Sequence, residues 1–112
     1  MNQPQQYYTL QFIRDEIQGK TANDRTTVCE IQQIAIRASE VILEEIPHQH
    51  TDHVRVAREK TLALLRKAIA QADLYQLEEA SQSGQVRQYH VSDTRTPALD
   101  AVEMYTRIVF SG

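Results

Sequence analysis

The side chains best suited to binding chemistry in this sequence are four closely spaced cations: Arg55, Arg58, Lys60 and Arg66. At about 3.6 residues per helical turn, Arg58 points in the same direction as Leu65 and Ala72, while Arg55 and Arg66 flank that apolar stripe. A guanidinium turned towards a core or a subunit interface is several kcal/mol unfavourable unless an anionic group meets it. The pattern therefore predicts an anionic partner for Arg58.

Two anionic groups are open as that partner. Glu45 falls on the apolar stripe of the preceding helical segment, nearly level with Arg58 across a predicted turn, and an ion pair between the two would be structural. A ligand phosphate held jointly by Arg55, Arg58 and Arg66 is the functional alternative, because the guanidinium fork binds phosphate oxygens in a bidentate way. The sequence leaves both partners open.

Tyrosines are the second class of candidate ligand contacts, because a tyrosine ring stacks on a nucleobase while its hydroxyl bonds a phosphate or a sugar. Tyr7 and Tyr8 lie near the N-terminus, and Tyr89 and Tyr105 lie near the C-terminus. We include Tyr7 and Tyr8 in the predicted ligand site together with the four cations. Half-buried packing is the alternative role for all four tyrosines.

Histidine and cysteine offer two further chemistries. His48, His50 and His53 lie close together, and imidazole is the commonest transition-metal ligand. Their spacing does not place them on one helical face, so we interpret them as solvated loop residues and expect no metal site, with a metal-dependent enzyme as the alternative. Cys29 has no histidine near it in sequence, and we expect a small core residue rather than a catalytic nucleophile.

The first of two long predicted helices covers residues 27–46. Apolar side chains recur there at three- and four-residue steps, which is the helical period. Thr27 and Glu30 have the spacing of a capping box at the start, and Pro47 cannot continue the helix at its end.

The second long predicted helix runs from about residue 52 to Ala80, with Thr51 or Asp52 as its cap. A loop of about six residues joins the two helices, so they must return on each other. The sequence therefore predicts an antiparallel helical hairpin over residues 27–80.

Shorter elements flank this hairpin. Residues 5–18 favour a helix over a strand because polar residues follow without a strand break, and residues 85–91 favour a short extended segment. Pro97 suits the first turn of a short final helix that ends near Phe110. The expected architecture is one all-α domain over residues 1–112, built from a hairpin at 27–80 with flanking segments at 5–18 and 85–110.

Composition excludes several classes of function. The chain of 112 residues has the length of one domain and a globular balance of 41% hydrophobic and 24% charged residues. A bilayer span needs roughly 20 consecutive apolar residues, which the sequence lacks, and without a signal-peptide pattern we expect a cytoplasmic protein. The single cysteine excludes a multi-cysteine zinc module, and the net charge of −3 argues against binding to duplex nucleic acid.

Charge is distributed unevenly between the two hairpin helices. Residues 27–53 carry −4, from Arg37 against four glutamates and Asp52, whereas residues 54–76 carry +3, from five basic residues against two acidic ones. Two phenylalanines and no tryptophan make a thin core for a two-helix hairpin. We therefore expect a homo-oligomer in which the basic helices come together.

Two segments of the hairpin carry a family resemblance. The run ASEVILEEIP (Ala38 to Pro47) and the run AREKTLALLRKAIAQAD (Ala57 to Asp73) resemble the helical-hairpin domain of phage-encoded nucleotide sponges, the anti-CBASS and anti-Thoeris proteins. The similar features are the proline after the first helix, the Arg-Glu-Lys-Thr-Leu-Ala-Leu start of the second and its alanine-rich close. The match covers roughly a third of the chain, and it carries over only Arg58 and Lys60 as candidate ligand contacts.

The resemblance implies a small oligomer that binds a cyclic nucleotide second messenger between protomers and sequesters it without cleavage. It implies no enzyme activity and no cofactor, and it implies a phage counter-defence role in the host cytoplasm. A helical protein-protein interaction module with no small-molecule ligand is the alternative, because the acidic and basic helices could dock a partner helix.

Overall fold

Four α-helices make up the regular structure in the computed structural model, which describes residues 5–44, 51–81 and 89–110. The described ranges contain no strand. In chain order the helices are α1 (Gln5–Gln18), α2 (Arg25–Glu44), α3 (Asp52–Ser81) and α4 (Ser92–Phe110).

Side-chain hydrogen bonds at matching heights show that neighbouring helices run antiparallel. The Gln6 Nε2 atom at the start of α1 donates to the Val41 carbonyl near the end of α2 at 3.0 Å. On the other side of α1, the Arg14 Nε atom donates to Glu103 of α4, also at 3.0 Å. Each helix packs on the next, α4 packs back on α1, and α1 and α3 lie on a diagonal of the described bundle.

The core takes side chains from all four helices, each of which turns one apolar stripe inwards. Burying one such side chain contributes roughly 1.5–3 kcal/mol relative to leaving it in water. The large apolar side chains that are fully buried are Leu10, Ile13, Ile17, Val28, Ile31, Ile42, Leu65, Val102 and Tyr105. The flanking helices α1 and α4 therefore cover the hairpin within one chain. A thin hairpin core is thus no reason for self-association, and the homo-oligomer stays a prediction.

The predicted hairpin is confirmed, and its second helix begins where the sequence indicated. The helices α2 and α3 pack antiparallel, as shown by the bond between the Gln32 Nε2 atom and Asp73 at 2.7 Å. The Thr51 hydroxyl accepts a hydrogen bond from the Val54 amide at 3.3 Å and so acts as the N-cap of α3. The predicted helix over residues 5–18 is also confirmed, by α1.

The start of α2 differs from the predicted capping box. Asp24, not Thr27, caps the helix: its Oδ1 atom accepts a hydrogen bond from the Thr27 amide at 2.8 Å. Hydrogen bonds from the Thr27 backbone and side chain hold the pKa of Asp24 below its usual range. Glu30 pairs instead with Lys20 in the preceding loop. An aspartate one turn earlier satisfies the free amides of the helix start.

The last helix is longer than predicted. It begins at Ser92, so Pro97 is the sixth residue of α4 and not part of its first turn. The Val91 carbonyl accepts the amides of Thr94 and Arg95 at 3.1 and 2.8 Å, which closes the first turn upstream of the proline. Residues 85–88 of the predicted extended segment lie outside the described residues, and residues 89 and 90 are non-helical.

Candidate anion-binding groove and the fate of the predicted site residues

Arg58 meets the carboxyl end of α2, which is a partner that neither sequence alternative included. One terminal guanidinium nitrogen, Nη2, lies 3.5 Å from the carbonyl oxygens of Ile42 and Leu43 in the last turn of that helix. The last turn of α2 contains no basic residue of its own. The helix dipole concentrates partial negative charge on these terminal carbonyls, so the guanidinium neutralises it. Glu45, the predicted ion-pair partner, lies outside the described residues.

A second arginine does the same at the end of α1. The Arg95 Nη2 atom in α4 donates to the carbonyl oxygen of Gln18 at 3.0 Å, and α1 also lacks a basic residue in its last turn. The Nε atoms of Arg58 and Arg95 are both buried with no hydrogen-bond partner among the described residues. The role of Arg95 could not be predicted from the sequence, because an interhelical cap leaves no local sequence signal.

The phosphate clamp of three arginines is not assembled in this bundle. Arg55 is exposed and pairs with Asp52 at 2.8 Å, within the first turn of α3. Arg66 is exposed, and eleven helical residues separate it from Arg55, which corresponds to about 16 Å along the axis. Because Arg58 is turned towards α2, these three guanidinium groups do not converge on one anion.

Lys60 lines a groove between α3 and α4, which we call the lysine groove. Its volume is about 410 Å³. Four of its described lining residues belong to α3 and one to α4: Lys60, Ala63, Leu64, Lys67 and Met104. The lining is almost entirely apolar, formed by the aliphatic carbons of Ala63, Leu64 and the two lysine stems and by the thioether of Met104. The lining residues that the structure describes include no carboxylate.

A smaller recess continues from the lysine groove over Leu64 and Met104. It has a volume of about 240 Å³ and adds one cation and two carboxylates, Arg107, Asp100 and Glu103. Glu103 is already paired with Arg14 of α1. Lys67, counted from the sequence only in the charge of the helix, is thus the second cation of the groove, and helical spacing places it on the same face as Lys60, two turns further along.

The two N-terminal tyrosines lie on the far side of α4 from the lysine groove. Tyr7 lines a separate groove of about 470 Å³ between α1 and α4, and its ring packs edge-on against Tyr8 and Phe110 with both centroid distances at 5.5 Å. Tyr8 is 51% exposed. Since α1 and α3 are not neighbours, the predicted site residues split into one group on α3 and one on α1.

The remaining tyrosines bind other parts of the protein. The Tyr75 hydroxyl donates to Asp93 at 2.6 Å and accepts the His90 amide at 3.1 Å, which ties α3 to the start of α4. Burial and the Asp93 carboxylate raise the pKa of Tyr75. The Tyr89 hydroxyl donates to Glu79 at 2.7 Å, and burial with that carboxylate raises the pKa of Tyr89 to about 12. Tyr105 is fully buried in the core.

Cys29 belongs to a polar ladder between α2 and α3. The Gln76 Nε2 atom donates to the Gln32 Oε1 atom at 3.1 Å and approaches the Cys29 sulfur at 3.7 Å. The Gln32 Nε2 atom donates in turn to Asp73 at 2.7 Å and to the Ile69 carbonyl at 3.1 Å. This ladder fixes how α2 and α3 align, because any other alignment leaves buried amides without partners.

The predicted histidine cluster is only partly described. His53 is exposed in the first turn of α3, and His48 and His50 lie outside the described residues. Among the described residues, no three histidine, cysteine, aspartate or glutamate side chains converge as metal ligands. None of the described helices combines the length and apolarity that a membrane crossing requires.

Comparison with known proteins leaves the resemblance to phage sponges as an expectation from sequence. The chain matches no protein-family model, no curated protein sequence and no solved structure.

Proposed function

We propose that this protein binds a phosphate-bearing nucleotide without cleaving it, and that the lysine groove is the binding site. The observation that carries the proposal is an apolar groove lined by the stems of two exposed lysines, Lys60 and Lys67, whose ammonium groups are free to reach a ligand seated in it. Ammonium groups bind phosphate as compact charges, and apolar floors accept the flat face of a nucleobase. A cyclic nucleotide signal combines both features in one small ligand, in line with the family that the hairpin resembles.

The spacing of the two lysines suits a ligand of this size. Lys60 and Lys67 are two helical turns apart, which corresponds to about 10 Å along α3, so their long side chains reach opposite ends of the groove. A phosphate at each end would then lie beside one ammonium group, with the base over Leu64 and Met104. Each ammonium-phosphate contact is a charge-assisted hydrogen bond, the stronger class of such bonds.

The chemistry of the groove supports binding without turnover as part of this proposal. Its described lining residues carry ammonium, aliphatic and thioether groups, and they provide no pair of nucleophile and general base. A protein of this kind would act by lowering the free concentration of the nucleotide. Sequestration of an immune signal, as a phage counter-defence protein, is the biological role that we propose on the sequence resemblance.

Thermal unfolding with a panel of linear and cyclic nucleotides tests the proposal. A ligand present at a hundredfold excess over its dissociation constant adds about 2.7 kcal/mol to the free energy of unfolding. For a chain of this length that corresponds to a rise in Tm of roughly 10 °C. No rise with any nucleotide would reject the proposal and favour the protein-protein interaction module.

A charge-matched pair of variants locates the site. The double substitution Lys60→Gln and Lys67→Gln removes both cations of the lysine groove, and we expect it to abolish the rise in Tm. The control, Arg55→Gln with Arg66→Gln, removes the same charge from the same helix outside the lining residues, and we expect the rise to persist. Equal responses from both variants would show that the nucleotide binds elsewhere.

A further inference from the structure

The outer face of α3 carries a heptad pattern that no other described helix covers. Eight residues of α3 follow one another at alternating steps of four and three and are all exposed, and we call this row the seam. They are Val56, Lys60, Ala63, Lys67, Ala70, Leu74, Leu77 and Ser81. Three of its side chains are large and apolar: Val56, Leu74 and Leu77 are 45%, 50% and 64% exposed. Ala63 and Ala70 lie between them and would let another helix approach closely.

Charge along α3 is polarised about the middle of this seam. The N-terminal half carries Lys60 and Lys67 on the seam and Arg66 beside it, against the anion Glu59, and the C-terminal half carries Asp73 and Glu78. At about 100° per residue, Arg66 and Asp73 fall on the flank nearer to α2, while Lys60 and Glu78 fall on the flank nearer to α4. Each flank therefore has a cation in one half and an anion in the other.

We propose that a second copy of this chain docks on the seam, with the two α3 helices antiparallel and a two-fold axis at Ala70. In antiparallel helix pairs each flank meets the same flank of the other helix. Ala70 then meets its own counterpart, and Ala63 lies opposite Leu77 of the partner subunit. Ala63 thus leaves room for the large Leu77 side chain, and the two Ala70 side chains let the helices approach closely at the axis.

The same axis brings opposite charges together on both flanks. Positions whose numbers add up to about 140 lie opposite each other, so Arg66 faces the partner's Asp73 and Lys60 faces the partner's Glu78. The two-fold axis repeats both pairs, which gives four ion pairs between the subunits. A parallel dimer would instead bring the two cationic N-terminal halves together, with Arg66 near the partner's Lys60, and likewise the two anionic C-terminal halves. Charge complementarity thus favours a second copy in the antiparallel orientation.

The area of the seam indicates a reversible dimer. Twenty-five residues of helix span about 37 Å, and a contact strip about 10 Å wide gives roughly 370 Å² for each copy. Stable interfaces bury about 800 Å² on each partner. We therefore expect a dimer that forms with rising protein concentration and dissociates on dilution.

The dimer would also change the lysine groove. Lys60, Ala63 and Lys67 belong both to the groove and to the seam. A groove on one chain leaves one side of a ligand in water, whereas tight sites bury most of the ligand surface. The α3 helix of the partner subunit lies along that open side, where the partner's Glu78 competes with a phosphate for the ammonium group of Lys60. The docking itself does not depend on the proposed nucleotide, since it rests on the seam alone.

Cysteine cross-linking tests the two-fold axis directly. In a Cys29→Ser background, Ala70→Cys places two thiols across the axis, within reach of a disulfide. The matched control is Ala63→Cys, an exposed alanine on the same seam, whose two copies would be about 21 Å apart along the helices. We expect at least tenfold more covalent dimer from Ala70→Cys, measured on non-reducing gels without nucleotide. Equal cross-linking of both, or of neither, would overturn the proposal.

A charge reversal provides an independent measurement in sedimentation equilibrium. Lys60→Glu places two carboxylates opposite each other in the dimer, and we expect dimerisation to weaken by at least tenfold. Adding Glu78→Lys restores an opposite pair, and we expect the dimer to recover. Failure of the double variant to recover, with helix content unchanged by circular dichroism, would contradict the antiparallel pairing. Because no nucleotide is present, this outcome is separate from that of the nucleotide panel.

Discussion

Replacing Arg58 by methionine separates a structural role for this residue from a ligand-binding one. Methionine keeps an apolar stem of similar length but removes the charge from the end of α2. The two guanidinium-carbonyl distances of 3.5 Å are long for hydrogen bonds, so most of the stabilisation comes from the charge acting on the helix dipole. In a partly buried geometry that interaction contributes up to about 2 kcal/mol. We expect Arg58→Met to lower the free energy of unfolding by about 1.5 kcal/mol.

Urea unfolding at fixed protein concentration measures this loss. The slope of the free energy of unfolding against urea concentration shows whether the unfolded state has changed. Arg55→Met is the control, because it removes the same group from an exposed ion pair three residues away and such pairs contribute at most about 1 kcal/mol. A stability unchanged by Arg58→Met, together with loss of nucleotide binding, would refute the capping role. It would return Arg58 to the ligand site that its sequence position first indicated.

Three other predictions follow from contacts in the bundle. Arg95→Met removes the equivalent cap of α1, so we expect a loss of about 1 kcal/mol that adds to that of Arg58→Met in the double variant, measured by urea unfolding. The raised pKa of Tyr89 means that its contribution to stability is complete below pH 10 and is lost as the pH rises towards about 12; Tyr89→Phe should flatten this alkaline decline in Tm. The lowered pKa of Asp24 has the opposite sign, so its contribution is present above about pH 4 and is lost on acidification, and Asp24→Ala should reduce the acid dependence of Tm.

The helical hairpin could be predicted from sequence because its signals are local. Apolar side chains at three- and four-residue steps and the Thr51 cap act within a few turns of chain, and α2 and α3 follow them closely. The start of α4 could not be predicted in the same way. Proline is favoured in a first turn because it cannot donate an amide hydrogen bond inside a helix, so Pro97 at the sixth position goes against the local signal. The bond from Tyr75 to Asp93, which anchors the true start, joins residues far apart in the chain.

The partners of the charged residues were harder to predict than the helices. Periodicity correctly turned Arg58 away from solvent, but its partners are backbone carbonyls, and every residue has one. The same reasoning explains why Arg95 gave no signal. By contrast, helical spacing alone places Lys60 and Lys67 on the same face of α3, where both line the groove.

The polar ladder of Gln32, Asp73 and Gln76 has a consequence for parts of the hairpin that it does not touch. The ladder joins the N-terminal half of α2 to the C-terminal part of α3, and Arg58 lies fifteen residues from Asp73, about 22 Å towards the start of α3. While the ladder's hydrogen bonds hold, α2 and α3 have one axial alignment, and in that alignment the Arg58 guanidinium lies beside the carbonyls of the last turn of α2. Loss of the ladder would therefore let α3 slide along α2 and move the Arg58 guanidinium away from those carbonyls. A substitution of Gln32 would thus weaken a contact at the opposite end of the hairpin.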